Sequence, residues 1–154
     1  MLRRRYILSA ALVVALAGAV VVGPATGGNG GRPLDAVLTG PNEFPGPGDA
    51  DATGTAELRL NHGKRRICYA ITWANVDGTV FAAHIHKAPA GRAAGVFQDL
   101  FVDESFSGTG SDSGCVTASR AAIKAIRKNP SEFYVNVHSA PNFRPGAIRG
   151  QLTK

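Results

Sequence analysis

A chain of 154 residues and 16.0 kDa has room for one domain and little for a second. Its 44% apolar and 18% charged residues exclude wholesale disorder, and its 19 Gly and 9 Pro argue against a helical bundle and for short strands joined by turns. The net charge of +6 raises nucleic acid as a partner.

The basic excess is concentrated at the start. Arg3, Arg4 and Arg5 precede an uncharged apolar run from Tyr6 to Val22, and then Gly23, Pro24 and Ala25. A basic start, an apolar middle and small residues behind it make an export signal. The run is about 17 residues, short of the ~20 that span a bilayer, so cleavage is expected in preference to an anchored helix. Ala25 is the expected cut and Ala19 its competitor. With no Cys near either cut, a lipid anchor is excluded. The arginine cluster weakly resembles a twin-arginine signal, with the general secretory route as the default. Losing Arg3, Arg4 and Arg5 lowers the net charge from +6 to +3. The remaining basic residues form no stripe interleaved with aromatics, so nucleic acid is dropped as a partner. The expected organisation is a signal peptide over 1–25, a flexible linker over 26–33 and one domain over 34–154. The expected location is extracellular or in the cell envelope, with no stable membrane span after cleavage.

From Leu34 onward the pattern alternates with period two, broken by turn residues. Over 54–60, Ala56, Leu58 and Leu60 face one way and Glu57 and Arg59 the other. Asn61, His62, Gly63 and Lys64 make a hairpin turn, with Gly63 free to take positive φ. The next strand, 66–75, has a bulky face of Ile67, Tyr69, Ile71 and Trp73. Further strands are expected at 80–86, 96–100, 114–117, 133–138 and 147–152, with loops over 87–95 and 104–113. One helix interrupts the series: Ser119 caps it, Ala122, Ile123 and Ile126 form its apolar stripe, and Asn129-Pro130 ends it. Arg120, Lys124, Arg127 and Lys128 are then its solvated face. In an oxidising compartment the two cysteines, Cys68 and Cys115, form one disulfide. Seven or so short strands at this spacing predict an all-β, antiparallel sandwich or barrel with one short inserted helix.

Four stretches stand out: 38–45 (LTGPNEFP), His84-Ile85-His86, 133–138 (FYVNVH) and 145–152 (PGAIRGQL). In order and spacing they resemble the CHRD domain family, named after repeats in chordin, over 34–152. The resemblance implies an exported immunoglobulin-like or superoxide-dismutase-like β-sandwich without a common activity. Ala147 stands where the family usually has Glu.

On a strand, His84 and His86 share a face while Ile85 packs behind them. With His138 from another strand they could form a three-nitrogen site suited to copper or zinc. The alternative is a polar network in which the histidines, Asn136, Arg149 and Gln151 hydrogen-bond across neighbouring strands. A buried guanidinium at Arg149 needs several acceptors, which could fix a loop or hold an anion. No nucleophile elbow and no carboxylate pair with general acid–base spacing is present. The expected function is a secreted, non-enzymatic binding or structural module without a cofactor, its partner an extracellular protein or cell-envelope component. Loops 87–95 and 139–145 are its expected contact surface, with Phe143 and Arg144 at the second tip. The alternative is a mononuclear copper or zinc protein on His84, His86 and His138 with a transport or redox role.

Overall fold

The computed structural model describes residues 30–154; the expected signal at 1–25 and the first half of the linker, 26–29, lie outside these residues. Alternating side chains become strands wherever one face can be buried. They do so at β1 (Arg32–Thr39), β2 (Thr53–Asn61), β3 (Arg66–Ala74), β4 (Thr79–His86), β5 (Val96–Phe101), β6 (Gly110–Thr117), β7 (Tyr134–Ala140) and β8 (Ile148–Gln151). In β2, Ala56, Leu58 and Leu60 are buried and Glu57 and Arg59 exposed. In β3 the bulky face of Ile67, Tyr69, Ile71 and Trp73 is buried as expected. One antiparallel sheet contains all eight strands in the order β5-β4-β7-β8-β1-β2-β3-β6. The fold is therefore all-β, and the walls of the expected sandwich are parts of one sheet that curls until it nearly closes as a barrel.

Aromatic packing joins the two ends of the curl. Trp73 of β3 lies 6.0 Å from Phe101 of β5 and 5.5 Å from Phe106, ring centre to ring centre. Phe106 forms an isolated bridge with Val80 of β4, and the Trp73 indole N–H donates to the Ser107 carbonyl. These rings meet tilted or edge-on, the arrangement that aromatic quadrupoles favour.

The helix α1 (Arg120–Lys128) runs as expected. The Ser119 hydroxyl accepts from the Ala122 N–H at 3.0 Å, Ile123 and Ile126 are buried, and Arg120, Lys124, Arg127 and Lys128 face solvent. Arg127 and Lys128 also sit in the last turn, where the helix dipole favours cations.

Three details differ from the sequence reading. β1 begins at Arg32, so the last two residues of the expected linker are strand, paired with Leu60 and Arg59. The β2–β3 turn places Arg65, not Gly63, in the left-handed region, at φ 54°. β6 begins at Gly110, four residues inside the expected loop. The inward positions there are Gly110, Asp112 and Gly114, which carry no hydrophobic signal. They are small because the facing side chains of β3 are large: a Cβ at Gly110 would meet the Trp73 ring, and one at Gly114 the Tyr69 hydroxyl. The Tyr69 O–H donates to Asp112 Oδ2 at 2.8 Å.

Cys68 and Cys115 are directly opposite in the β3–β6 pair and form a disulfide across 47 residues of chain. In the chain-entropy treatment a closed loop of that size contributes about 4 kcal/mol, and less where the denatured state keeps structure. Replacing both cysteines by Ser should lower the urea midpoint by an amount equal to about 2–4 kcal/mol while the far-ultraviolet spectrum stays that of a β protein. An unchanged midpoint would show that the cross-link does not constrain the unfolded chain.

Candidate metal centre and adjoining cleft

β7 is buried on both faces, although a strand of a curled sheet normally has one wet side. Its inward side chains, Val135 and Val137, are core. Its outward ones are Tyr134, Asn136 and His138. The register sets His86 beside Tyr134 and His84 beside Asn136 on the β4 side. On the β8 side it sets Gln151 beside Tyr134 and Arg149 beside Asn136. Antiparallel pairing thus places all six sequence-chosen polar residues on one outer face, spread over three adjacent strands.

Three connections roof that face. Arg149 is 1% exposed, and its guanidinium donates to the carbonyls of Arg92 and Pro89 at 2.8 and 3.0 Å and to Gln151 Oε1 at 3.1 Å. The Gln151 amide N–H₂ adds the Ala88 carbonyl. Loop 87–95 is therefore fixed by β8 through its backbone carbonyls, while most of its side chains remain exposed. From the β1–β2 connection, the Asn42 amide donates to the Arg149 carbonyl and the Asp49 N–H to the Ala147 carbonyl. In the β7–β8 connection, Ser139 and Phe143 exchange backbone hydrogen bonds. Phe143 packs half-buried against the core, so of the two expected tip residues only Arg144 projects into solvent. Ala147 is fully buried among apolar side chains.

Under this roof the histidines converge. One ring nitrogen from each of His84, His86 and His138 lies within 4.8 Å of the others. The remaining nitrogens have outside partners. His86 Nδ1 lies 2.9 Å from the Ala94 carbonyl and His138 Nδ1 2.8 Å from the Arg144 carbonyl; a carbonyl only accepts, so both Nδ1 atoms carry the proton. Neutral His86 and His138 then present bare Nε2 lone pairs. Both face Asn136 Oδ1, at 2.9 and 3.0 Å, and His138 Nε2 also lies 2.9 Å from His84 Nδ1. His84 Nε2 points towards the exposed carboxylate of Asp99 at 3.6 Å. Burial lowers the pKa of His138 to about 4, and lowers that of His84 too. Each imidazole thus has one nitrogen oriented by a carbonyl or carboxylate and the other turned inward, the outer-shell pattern of metal-ligating histidines. Two nitrogens on one tetrahedral ion lie about 3.3 Å apart at bond lengths of ~2.0–2.1 Å. That value falls between the closest pair, at 2.9 Å, and the 4.8 Å that bounds the set.

Tyr134 joins the histidines to the arginine. Its ring stacks on His86 at 4.7 Å with an 8° interplanar angle, and the Arg149 guanidinium carbon lies 3.3 Å from its centre. The result is a guanidinium–phenol–imidazole stack.

Glu43 is a member of the site that sequence reasoning passed over. It is 9% exposed; its carboxyl accepts from the Phe44 N–H and the Asn136 amide, and Arg149 lies near enough to attract it. Burial outweighs these contacts and raises its pKa to about 7. Its Oε1 is buried without a hydrogen bond. The only sequence signal was its place in the 38–45 stretch, where an acidic residue among turn formers reads as solvated. Glu43, His86, Tyr134 and Asn136 line a cleft of about 420 Å³ that opens between the three roofing connections.

Over residues 34–152 the chain matches the family model of the CHRD domain. No curated protein and no solved structure matches it.

Glu43 makes stability depend on pH in a defined direction. Its folded pKa of about 7 lies above the ordinary 4.5, so the folded state holds the proton longer. The stability this supplies is complete below pH ~4.5 and is lost as the pH rises to ~7, by about 3 kcal/mol. His138 acts oppositely, losing stability as the pH falls from the ordinary 6.5 to about 4. Comparison with Glu43→Gln removes the histidine contribution. The variant should gain stability over the parent through pH 4.5–7 and hold a constant advantage above it, read by urea unfolding at each pH. A difference that does not change with pH would show that Glu43 titrates as an ordinary carboxyl.

Proposed function

Because the chain belongs to the CHRD domain family, we propose that it is an extracellular, non-enzymatic binding module that holds one copper or zinc ion on His84, His86 and His138. The disulfide between Cys68 and Cys115 and the family both support an extracellular location. The partner in this reading is an extracellular protein or a component of the cell envelope.

One observation carries the metal: three inward-facing imidazole nitrogens within 4.8 Å, each on a ring whose other nitrogen has a carbonyl or carboxylate beside it. His86 and His138 hold their Nδ1 protons on backbone carbonyls, which fixes their tautomers and leaves Nε2 to ligate. His84 would ligate through Nδ1, with its Nε2–H turned to Asp99. Soft thiolates are absent from the set, since both cysteines are joined in the disulfide. An all-imidazole set suits copper and zinc, and the Irving–Williams order favours Cu(II). A bound ion supplies a Lewis-acidic point that can hold a donor atom of the partner. Asn136 Oδ1, in contact with two of the ligating nitrogens, stands where it must rotate or join the coordination.

Metal analysis and calorimetric titration of tag-free protein with Cu(II) and with Zn(II) test this reading. One equivalent should bind at micromolar affinity or better, and His84→Ala should abolish stoichiometric binding without unfolding the domain, because His84 is partly exposed. Absence of stoichiometric binding of both ions would overturn the metal and leave the histidines as a polar network around Asn136.

A further inference from the structure

Antiparallel pairing sorts the charges of this chain to opposite ends of the curled sheet. Every strand pair is antiparallel, so successive connections alternate between the two ends. At one end lie the connections 40–52, 75–78, 102–109 and 141–147. They carry Glu43, Asp49, Asp51, Asp77, Asp103 and Glu104, and only Arg144 as a cation. At the other end lie the β2–β3 turn, loop 87–95, the segment 118–133 with α1, and the last residues of the chain. The only acid in these connections is Glu132.

The two basic clusters of the sequence meet at this second end. The Ala118 N–H donates to the Arg65 carbonyl at 2.9 Å, and Arg66 lies opposite Thr117 in the β3–β6 pair. The turn cations Lys64, Arg65 and Arg66 are thereby set beside the start of α1, whose Arg120, Lys124, Arg127 and Lys128 are also exposed. Among the described residues the one ion pair is His84 with Asp99, so none of these cations is neutralised by a carboxylate. Neither 61–66 nor 117–132 contains an aromatic residue. Cations spread over two elements without aromatics between them suit an extended anionic surface better than a stack of bases. The start of the described chain is at the same end, where the Asn61 amide donates to the Gly30 carbonyl at 2.6 Å. Gly30 follows the apolar run 6–22 by eight residues, which span at most ~28 Å. While that run serves as an export signal, the basic end is therefore the end held beside the bilayer.

We propose that the surface formed by the β2–β3 turn and α1 docks the folded domain on a bilayer surface rich in anionic phospholipid, with the acidic end turned away. This rests on the binding-module reading, whose envelope component it names, and not on the metal. Docking in this sense leaves Arg144 and the connection around it facing away from the lipid.

The test uses the chain after signal removal, 26–154, which contains all eight strands, the core and the disulfide. EDTA-treated protein is sedimented with vesicles of phosphatidylglycerol and phosphatidylcholine in equal parts and with vesicles of phosphatidylcholine alone. It should bind the first at least tenfold more strongly than the second. Raising NaCl from 50 to 300 mM shortens the Debye length from about 14 to about 6 Å and should weaken the binding at least tenfold. The triple variant Lys124→Gln, Arg127→Gln, Lys128→Gln changes only exposed helix positions and leaves Ile123 and Ile126 in place. Each cation near such a surface is worth about a fivefold change, so the variant should also lose at least tenfold while its amide spectrum stays that of the folded domain. In anionic bicelles with a spin-labelled headgroup, the amide signals of 63–66 and 119–128 should broaden, and those of 49–51, 76–78 and 103–106 should stay sharp. Equal binding to both vesicles, unchanged binding by the variant, or equal broadening at the two ends would overturn the proposal. So would binding of soluble polyglutamate with no binding to the anionic vesicles, since the patch then serves an acidic polymer. Metal titration of the same preparation reads the histidine site separately, so failure of one does not hide the outcome of the other.

Discussion

The arrangement depends on one buried guanidinium. Arg149 is fully enclosed on a short edge of hydrogen bonding, with β8 only Ile148–Gln151 long. A charge in that position is tolerable only if its donors are used and its flat face covered. Two carbonyls of loop 87–95 and the Gln151 side chain take the donors, and the Tyr134 ring takes the face. These demands fold the loop down over β7 and β4. Without it, the outer face of β7 would be wet and the histidines would be ordinary surface residues. Glycine at 150 is part of the same device, because a Cβ there would strike the Val37 carbonyl of β1 and push β8 away.

The effect reaches His86 by two routes that meet on Ala94. The Ala94 carbonyl accepts the His86 Nδ1 proton, and the Ala94 N–H donates to the Tyr134 hydroxyl oxygen. Tyr134 is in turn stacked between Arg149 and His86. Arg149 therefore touches no histidine, yet it sets the loop and the ring that together fix the orientation and tautomer of one. His138 receives the same service from the Arg144 carbonyl, in the connection that Ser139 and Phe143 close. A polar face tied at these points has little conformational freedom left to lose, which would favour affinity from few contacts in the proposed binding role.

Much of this was legible in the sequence because strands have period two. The alternation at 54–60 and 66–75 and the shared faces of His84 with His86, Asn136 with His138 and Arg149 with Gln151 all follow from it, and the Ser119 cap follows from the preference of Ser for a helix N-terminus. The two cysteines and an oxidising compartment were enough for the disulfide. Register was not legible, and register is what sets three separate pairs side by side: His84 opposite Asn136 and Asn136 opposite Arg149 is a property of two ladders. The start of β6 was hidden for a different reason. Its inward residues are small to admit Trp73 and Tyr69, so the hydrophobic signal lies entirely on the partner strand. Glu43 was hidden because burial of a loop carboxylate depends on a roof assembled from three distant connections.

Asn136 occupies the point where the two halves of the polar face meet, and its amide can serve only one of two hydrogen-bonding schemes. With Oδ1 towards the histidines, it places an acceptor against two bare Nε2 lone pairs while its N–H₂ meets the Glu43 carboxylate. Three acceptors in contact require a cation, whether a proton or a metal ion, to hold them. Turned over, the amide would donate to both Nε2 atoms and close the network without any cation. Its carbonyl would then face the Glu43 carboxyl, a contact that is favourable only when that carboxyl carries its proton. A neutral, closed network and a cation-holding one thus use the same side chains and differ by the rotation of one amide. The roof keeps every other member in place, so the choice between them falls on Asn136.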